Sequence, residues 1–109
     1  MSSTTITRGN SHETFYIGPT LTPTSVTNAT SSSQTFNVAG LLTSDIVYVI
    51  GLNGAQTSGI IAAEADVFNN NQLTIQFLNA AAAPATPAAG QYVIQVVRTE
   101  GNTLPVNAA

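Results

Sequence analysis

Residues 72–99 read QLTIQFLNAAAAPATPAAGQYVIQVVRT, and this stretch decides the fold class. Both of its ends alternate between apolar and polar residues, which is the period-two pattern of half-buried β-strands. The inward residues are expected to be Leu73, Ile75 and Phe77 in the first strand and Tyr92, Ile94 and Val96 in the second. Pro84 and Pro87 between them exclude a helix longer than a turn. We therefore expect two strands that pair across a shaped loop as a wide hairpin.

The Ala/Pro loop at residues 79–90 carries no charge, and its two prolines lower the entropy that ordering it would cost. We expect a rigid loop of small residues at one end of the domain. Such a loop is suited to packing against a flat partner surface.

Three further stretches read as strands, namely TFYIG (14–18), SQTFNVAGL (33–41) and DIVYVIG (45–51). The stretch 45–51 is apolar on both faces, which predicts a central strand buried on both sides. Residues 19–33 contain Pro19 and Pro23, each of which removes a ladder donor, so we expect an edge strand or an extended strap there.

Residues 59–68, GIIAAEADVF, fit either a helix or a strand. A helix would have a poor apolar stripe. A strand would place Glu64 and Asp66 on one face and Ile61, Ala63, Ala65 and Val67 on the other. This alternation is cleaner, so the strand is favoured.

These patterns predict an all-β protein, an antiparallel β-sandwich or small barrel of about six to seven strands. Residues 1–13 are rich in Ser, Thr and Asn and are expected to form a flexible polar N-terminal arm. The predicted β-sandwich domain spans 14–100, and 101–109 form a C-terminal tail.

Charged residues make up only 6% of the chain, against about a quarter in a typical globular protein. The basic residues are Arg8 and Arg98, too few for binding to nucleic-acid phosphates or to a membrane surface. The chain has no Cys, and its apolar runs are too short to cross a bilayer. We expect a soluble protein. Its neutral surface suits packing against copies of itself or against a larger particle. The alternative is a secreted or phase-adapted surface that merely happens to be neutral.

Candidate catalytic residues are few. His12, the single histidine, falls in the predicted arm, where a catalytic geometry could not be held, so a solvated residue or a contact with a neighbouring subunit is expected. Glu64 and Asp66 would lie side by side, roughly 7 Å apart on one strand, rather than flanking a bond. A solvated strand face is favoured over a glycan-cleaving pair or a weak calcium site. We expect no enzyme activity, no metal site and no cofactor.

Three tyrosines could form a sugar-binding surface if they were clustered and exposed: Tyr16, Tyr48 and Tyr92. Tyr48 and Tyr92 fall at positions expected to point inward, so packing in the core is favoured for both.

Residues 34–98 resemble a group of short structural proteins of tailed phages. The resemblance rests on the Gly40-Leu41 turn, on Asp45 at the start of a strand, and on two patterned strands, Leu73-Ile75-Phe77-Asn79 and Gly90-Tyr92-Arg98. It implies a β-sandwich that decorates or cements the outer surface of a capsid, bridging and stabilising capsomers. Residues 1–33 show no such pattern.

The resemblance further implies a homotrimer that binds the major capsid protein and no nucleic acid, membrane or small-molecule substrate. Such a protein would be made in the host bacterial cytoplasm and located on the virion. The residues that we expect at partner contacts are Arg8, His12, Ala82, Pro84, Pro87 and Ala88. The alternative is a carbohydrate- or receptor-binding β-sandwich module of a phage tail or fibre.

Overall fold

The computed structural model describes residues 12–99, and over this range the chain is all-β. Its seven strands are β1 (His12–Ile17), β2 (Thr20–Leu21), β3 (Thr30–Asn37), β4 (Ile46–Leu52), β5 (Ile60–Asp66), β6 (Gln72–Asn79) and β7 (Gly90–Thr99). The prediction of an all-β fold is confirmed, as is the choice of a strand for residues 59–68. Within the described range there is no helix long and apolar enough to cross a membrane.

The strands form two antiparallel sheets that pack together as a small sandwich. In sheet 1, β7 is the central strand, with β4 on one side and β1 and β2 on the other. In sheet 2, β6 lies between β3 and β5. The two central strands therefore carry the alternating patterns from which the fold class was predicted.

The core lies between the inner faces of β6 and β7. Six hydrophobic side chains from these strands are fully buried, as the alternation predicts: Leu73, Ile75, Phe77, Tyr92, Ile94 and Val96. The rings of Phe77 and Tyr92 meet across the two sheets edge to face, with centroids 6.1 Å apart and an interplanar angle of 77°. This geometry is a favourable one for aromatic pairs.

The wide hairpin expected across residues 79–90 does not form, because β6 and β7 belong to different sheets. The Ala/Pro loop is instead a crossover from sheet 2 to sheet 1. Alternation shows which residues of a strand are buried, but two strands that share a core can lie side by side or face each other. Here they face each other.

The prediction that residues 45–51 form a central strand is wrong. Among the described residues, β4 pairs only with β7, so it is an edge strand. The side chains of Tyr48 and Ile50 are 52% and 56% exposed. The register shifts between Val49 and Gly51, which makes Ile50 the extra residue of a β-bulge. The second apolar face of this strand is thus an exposed surface of sheet 1.

The single inward face predicted for residues 59–68 is interrupted. A register shift between Ala62 and Glu64 lets Ile60 and Ala62 point inward before the bulge and Ala65 after it. Ile61 was expected on the same face as Ala65, but it is 52% exposed whereas Ala65 is buried. A bulge inserts one extra residue into the strand. The residues that follow it therefore point to the opposite face from the one that simple alternation would give them.

The first strand begins inside the segment that was expected to be an arm. His12 pairs with Thr99, and Glu13 pairs with Arg98, so both residues belong to sheet 1. The remainder of the predicted arm, including Arg8, and the predicted tail lie outside the described residues.

Candidate functional site

Asp45 and Arg98 form the one charged cluster with defined internal geometry in residues 12–99. Arg98 donates from Nε to Asp45 Oδ1 (2.9 Å) and from Nη2 to Oδ2 (2.7 Å), and Nη2 also donates to the Gly40 carbonyl. The Leu42 N–H donates to Asp45 Oδ2, and the guanidinium lies 5.3 Å from the centroid of the Phe15 ring. The carboxylate is therefore saturated by its own chain.

The electrostatics of this cluster follow from the ion pair. The hydrogen bond from Arg98 lowers the pKa of Asp45 below its ordinary value despite the desolvation that opposes it, and the Leu42 N–H adds to the effect. Asp45 in turn raises the pKa of Arg98. Both groups stay charged at neutral pH and satisfy each other, so the cluster is structural rather than a site for a substrate.

Glu64 and Asp66 line a groove between the edge strands β4 and β5, which we call the seam groove. Part of it has a volume of about 370 Å³ and is lined by these two acids, by Ala63 and Ala65, and by residues 47–49. The wall that β4 contributes carries no carboxylate. Two acids on one wall cannot flank a glycosidic bond in the way that paired catalytic carboxylates do.

The first half of the Ala/Pro loop is shaped by Asn79, whose side chain is fully buried. Its Nδ2 donates to the carbonyls of Val26 and Ala83, both at 3.0 Å, and its Oδ1 accepts from the Ala81 N–H at 2.9 Å. Two backbone hydrogen bonds between Val26 and Ala85 hold the next turn of the loop. One amide thus satisfies three backbone groups and fixes the loop against the rest of the domain.

The second half of the loop is held by Gln56 and Tyr92. Gln56 accepts from the Ala88 N–H at 2.7 Å and donates to the Tyr92 hydroxyl, which donates to the Ala88 carbonyl at 2.7 Å. Thr57 donates to the Thr86 carbonyl. This network has no counterpart in the local sequence pattern of the loop, because Gln56 and Thr57 come from the connection between β4 and β5.

The predicted contact residues of the loop therefore divide into two groups. Ala82 and Pro84 are exposed, whereas Pro87 is fully buried inside the chain and Ala88 is half-buried. Pro87 is not available to a partner. Of the other two predicted contact residues, His12 is exposed at the start of β1, and Arg8 lies outside the described range.

Two tyrosines and a glutamine form a row across the outer surface of sheet 1. Tyr16 of β1 pairs with Gln95 of β7, which pairs on its other side with Tyr48 of β4. Tyr16 is 62% exposed. The expectation that Tyr48 packs in the core is wrong, and only Tyr92 does so. The pattern of residues 45–51 could not distinguish the two faces, since both are apolar.

The residues above and below this row are also uncharged. We call the whole surface the aromatic face; besides the row, it comprises Thr14, Ile46, Ile50, Val93 and Val97. The outer surface of sheet 2 differs, because its strands present mainly hydroxyls, amides and the two acids, including Ser33, Thr35, Gln76, Glu64 and Asp66. The outer surface of sheet 2 is thus more polar than that of sheet 1, although Ile61 and Leu78 are exposed on it.

No protein-family model, no curated protein and no solved structure matches this chain. The resemblance to phage structural proteins therefore stays a prediction. In the described part of the chain, no cluster of three or more His, Asp or Glu residues could hold a metal ion.

Proposed function

We propose that this protein has a structural role. It would be a non-catalytic decoration protein that attaches to the surface of a larger particle, and that particle would be a capsid. The observation that carries the proposal is the exposed, uncharged tip of the Ala/Pro loop, residues 82–84, held in place by the hydrogen bonds of the buried Asn79 side chain. The resemblance over residues 34–98 suggests the capsid as the particle.

The tip of the Ala/Pro loop can bind a partner at a low entropic cost. Asn79 already orders the loop, so little conformational entropy is lost when the tip is immobilised on a partner. Ala and Pro side chains have no rotamers to lose. A flat, neutral contact of this kind is weak by itself, but a particle presents many equivalent sites, and bridging several of them multiplies a modest affinity. We propose that the protein does so as a homotrimer bound to the major capsid protein.

The test is co-sedimentation with capsids assembled without this protein. Ala82→Glu places a charge on the tip, and Ala39→Glu is the matched control, since Ala39 is an exposed alanine near the opposite end of the sandwich. We expect wild-type protein and Ala39→Glu to bind alike and Ala82→Glu to bind about tenfold more weakly. Equal binding by both variants, or no co-sedimentation of the wild-type protein, would contradict the proposal. Sedimentation equilibrium of the purified protein should give the mass of three copies.

A further inference from the structure

We propose that the aromatic face, together with the adjoining part of the seam groove, binds a neutral oligosaccharide. This site is separate from the loop tip at residues 82–84, so the proposal does not depend on attachment to a particle. It rests on the row of Tyr16, Gln95 and Tyr48, on the groove beside Tyr48, and on the charges around both.

The row has the dimensions of a short sugar chain. Neighbouring strands lie about 4.8 Å apart, so the backbones at Tyr16 and Tyr48 are separated by about 10 Å, close to the length of a disaccharide. Tyrosine rings offer an apolar face on which the C–H face of a pyranose can stack, with a hydroxyl at the rim. Between them, the Gln95 amide offers both donors and an acceptor to sugar hydroxyls.

The seam groove extends the row beyond Tyr48, which belongs to both. Its other wall carries Glu64 and Asp66, and its volume of about 370 Å³ is within the range of small-ligand sites. Carboxylates accept strong, charge-assisted hydrogen bonds from hydroxyl donors. A chain of sugars stacked on Tyr16 and Tyr48 would therefore meet acceptors for its hydroxyls where it enters the groove.

The surrounding charges select a neutral ligand. Within residues 12–99, Arg98 is the one Arg or Lys, and its Nε and Nη2 groups are engaged by Asp45 and Gly40. No other described guanidinium or ammonium group is present to pair with a sulfate, phosphate or sialic acid, and Glu64 and Asp66 repel anions.

The size of the face also favours a small elongated ligand over a second copy of the chain. Three strands of about seven residues give a flat patch on the order of 350 Å². A stable protein interface buries about 800 Å² per partner. The aromatic face alone therefore falls short of what a stable dimer needs, whereas it matches the footprint of a few sugar units.

The experiment is a glycan array that contains neutral, sialylated and sulfated oligosaccharides, followed by calorimetric titration of the best neutral ligand. We expect binding to neutral glycans only. Tyr48→Ala and Tyr16→Ala should each weaken binding about tenfold, the effect of losing one stacked ring. Glu64→Gln should weaken it several-fold, since the charge-assisted acceptor is lost. Phe68→Ala is the control, because Phe68 is 67% exposed but outside the row and the groove.

Three results would overturn the proposal. One is the absence of any neutral ligand at millimolar glycan, and another is binding that Tyr16→Ala and Tyr48→Ala leave unchanged. The third is an oligomer of the wild-type protein that Tyr48→Ala converts to monomer, measured by light scattering, since the face would then be an interface between copies. All substituted side chains are at least half-exposed tyrosine or phenylalanine rings or an exposed acid, so unchanged thermal midpoints are expected and should be verified.

Discussion

Asp45 and Arg98 are joined at two points, and the carboxylate is fully buried while the guanidinium side chain is 32% exposed. Asp45 directly precedes β4, and Arg98 is near the end of β7. The pair therefore fastens the turn between β3 and β4 to the central strand of sheet 1. Burying the Asp45 carboxylate carries a desolvation penalty, and a buried carboxylate is tolerated only when it is fully paired.

Asp45→Asn should lower the free energy of unfolding by about 2–3 kcal/mol, because Arg98 loses its charged partner. The loss is no larger because the Arg98 side chain is partly exposed, so water can solvate the unpaired guanidinium. Urea denaturation at pH 7 measures this change. Glu64→Gln removes the same charge from an exposed position and should change stability by less than about 0.5 kcal/mol. Equal effects of the two substitutions would show that the ion pair contributes nothing specific.

The same pair predicts a dependence of stability on pH. Since Arg98 holds the pKa of folded Asp45 below 3.8, its value in a model peptide, the unfolded chain takes up a proton first as the pH falls. The contribution of Asp45 is thus fully present above about pH 4 and is lost as the pH falls through the lower, folded pKa. Urea midpoints from pH 7 to pH 2 should show the gap between wild-type protein and Asp45→Asn closing only in the acidic range. A gap that stays constant would contradict this assignment.

Substitutions of Asn79 should be unusually costly for a single amide. Asn79→Ala leaves two carbonyls and one N–H of the loop without their partner, which predicts a loss of about 2–4 kcal/mol. Asn79→Asp should be worse at pH 7, because a buried carboxylate would face two carbonyl oxygens, and it should recover in part at acidic pH when the carboxyl can donate. Asn37→Ala, at an exposed position, is the control in the same urea series. Similar losses for Asn37→Ala and Asn79→Ala would refute the anchoring role.

Tyr92→Phe isolates the hydrogen bonds of the second half of the loop. The variant keeps the ring that packs on Phe77 but loses the hydroxyl that links Gln56 to Ala88. We expect a loss of about 1–2 kcal/mol, together with faster amide exchange at Ala88. Tyr48→Phe, on the aromatic face, removes an exposed hydroxyl and should be close to neutral. Unchanged stability in Tyr92→Phe would mean that water replaces the hydroxyl without cost.

Alanine substitutions at two glycines should distinguish the cost of backbone strain from the cost of a steric clash. Gly59 has φ +84°, and a Cβ there would lie 3.0 Å from the Cβ of Ala81, whereas Gly40 has φ +95° with nothing within 4 Å. Gly40→Ala should therefore cost about 1 kcal/mol from the left-handed backbone alone. Gly59→Ala should cost more, about 2–3 kcal/mol, because it also displaces the loop. The comparison of thermal midpoints checks this order, and the reverse order would contradict it.

The sequence predicts the strands of this fold well and their arrangement poorly. Alternation in β6 and β7 identifies the buried residues, since burial repeats every second residue whatever the neighbouring strand. It carries no information on whether β6 pairs with β7 or faces it. The prediction that β4 is buried on both faces failed for a related reason. An exposed apolar face, such as the one around Tyr48, has the same composition as a buried one.

The contacts at the candidate sites are even harder to predict from the sequence. Asp45 and Arg98 are 53 positions apart, and no pattern in the sequence indicates that they meet. The role of Gln56 depends on a crossover that brings it to Ala88. Asn79 could be read as a strand end, but its three hydrogen bonds depend on where Val26 passes. These contacts are tertiary, so patterns along the chain do not contain them.

The position of β7 in sheet 1 has a consequence for how the protein folds during synthesis. β1, β2 and β4 all pair with β7 and with no other strand of the described range, and β7 is the last of the seven to leave the ribosome. By contrast, β5 and β6 form a local hairpin next to β3, so sheet 2 can assemble earlier. Until β7 emerges, three strands of the nascent chain lack their partner, and the apolar inner face of sheet 2 is uncovered. Folding to the native state is therefore expected to be late and cooperative, with the nascent chain open to chaperone binding until then.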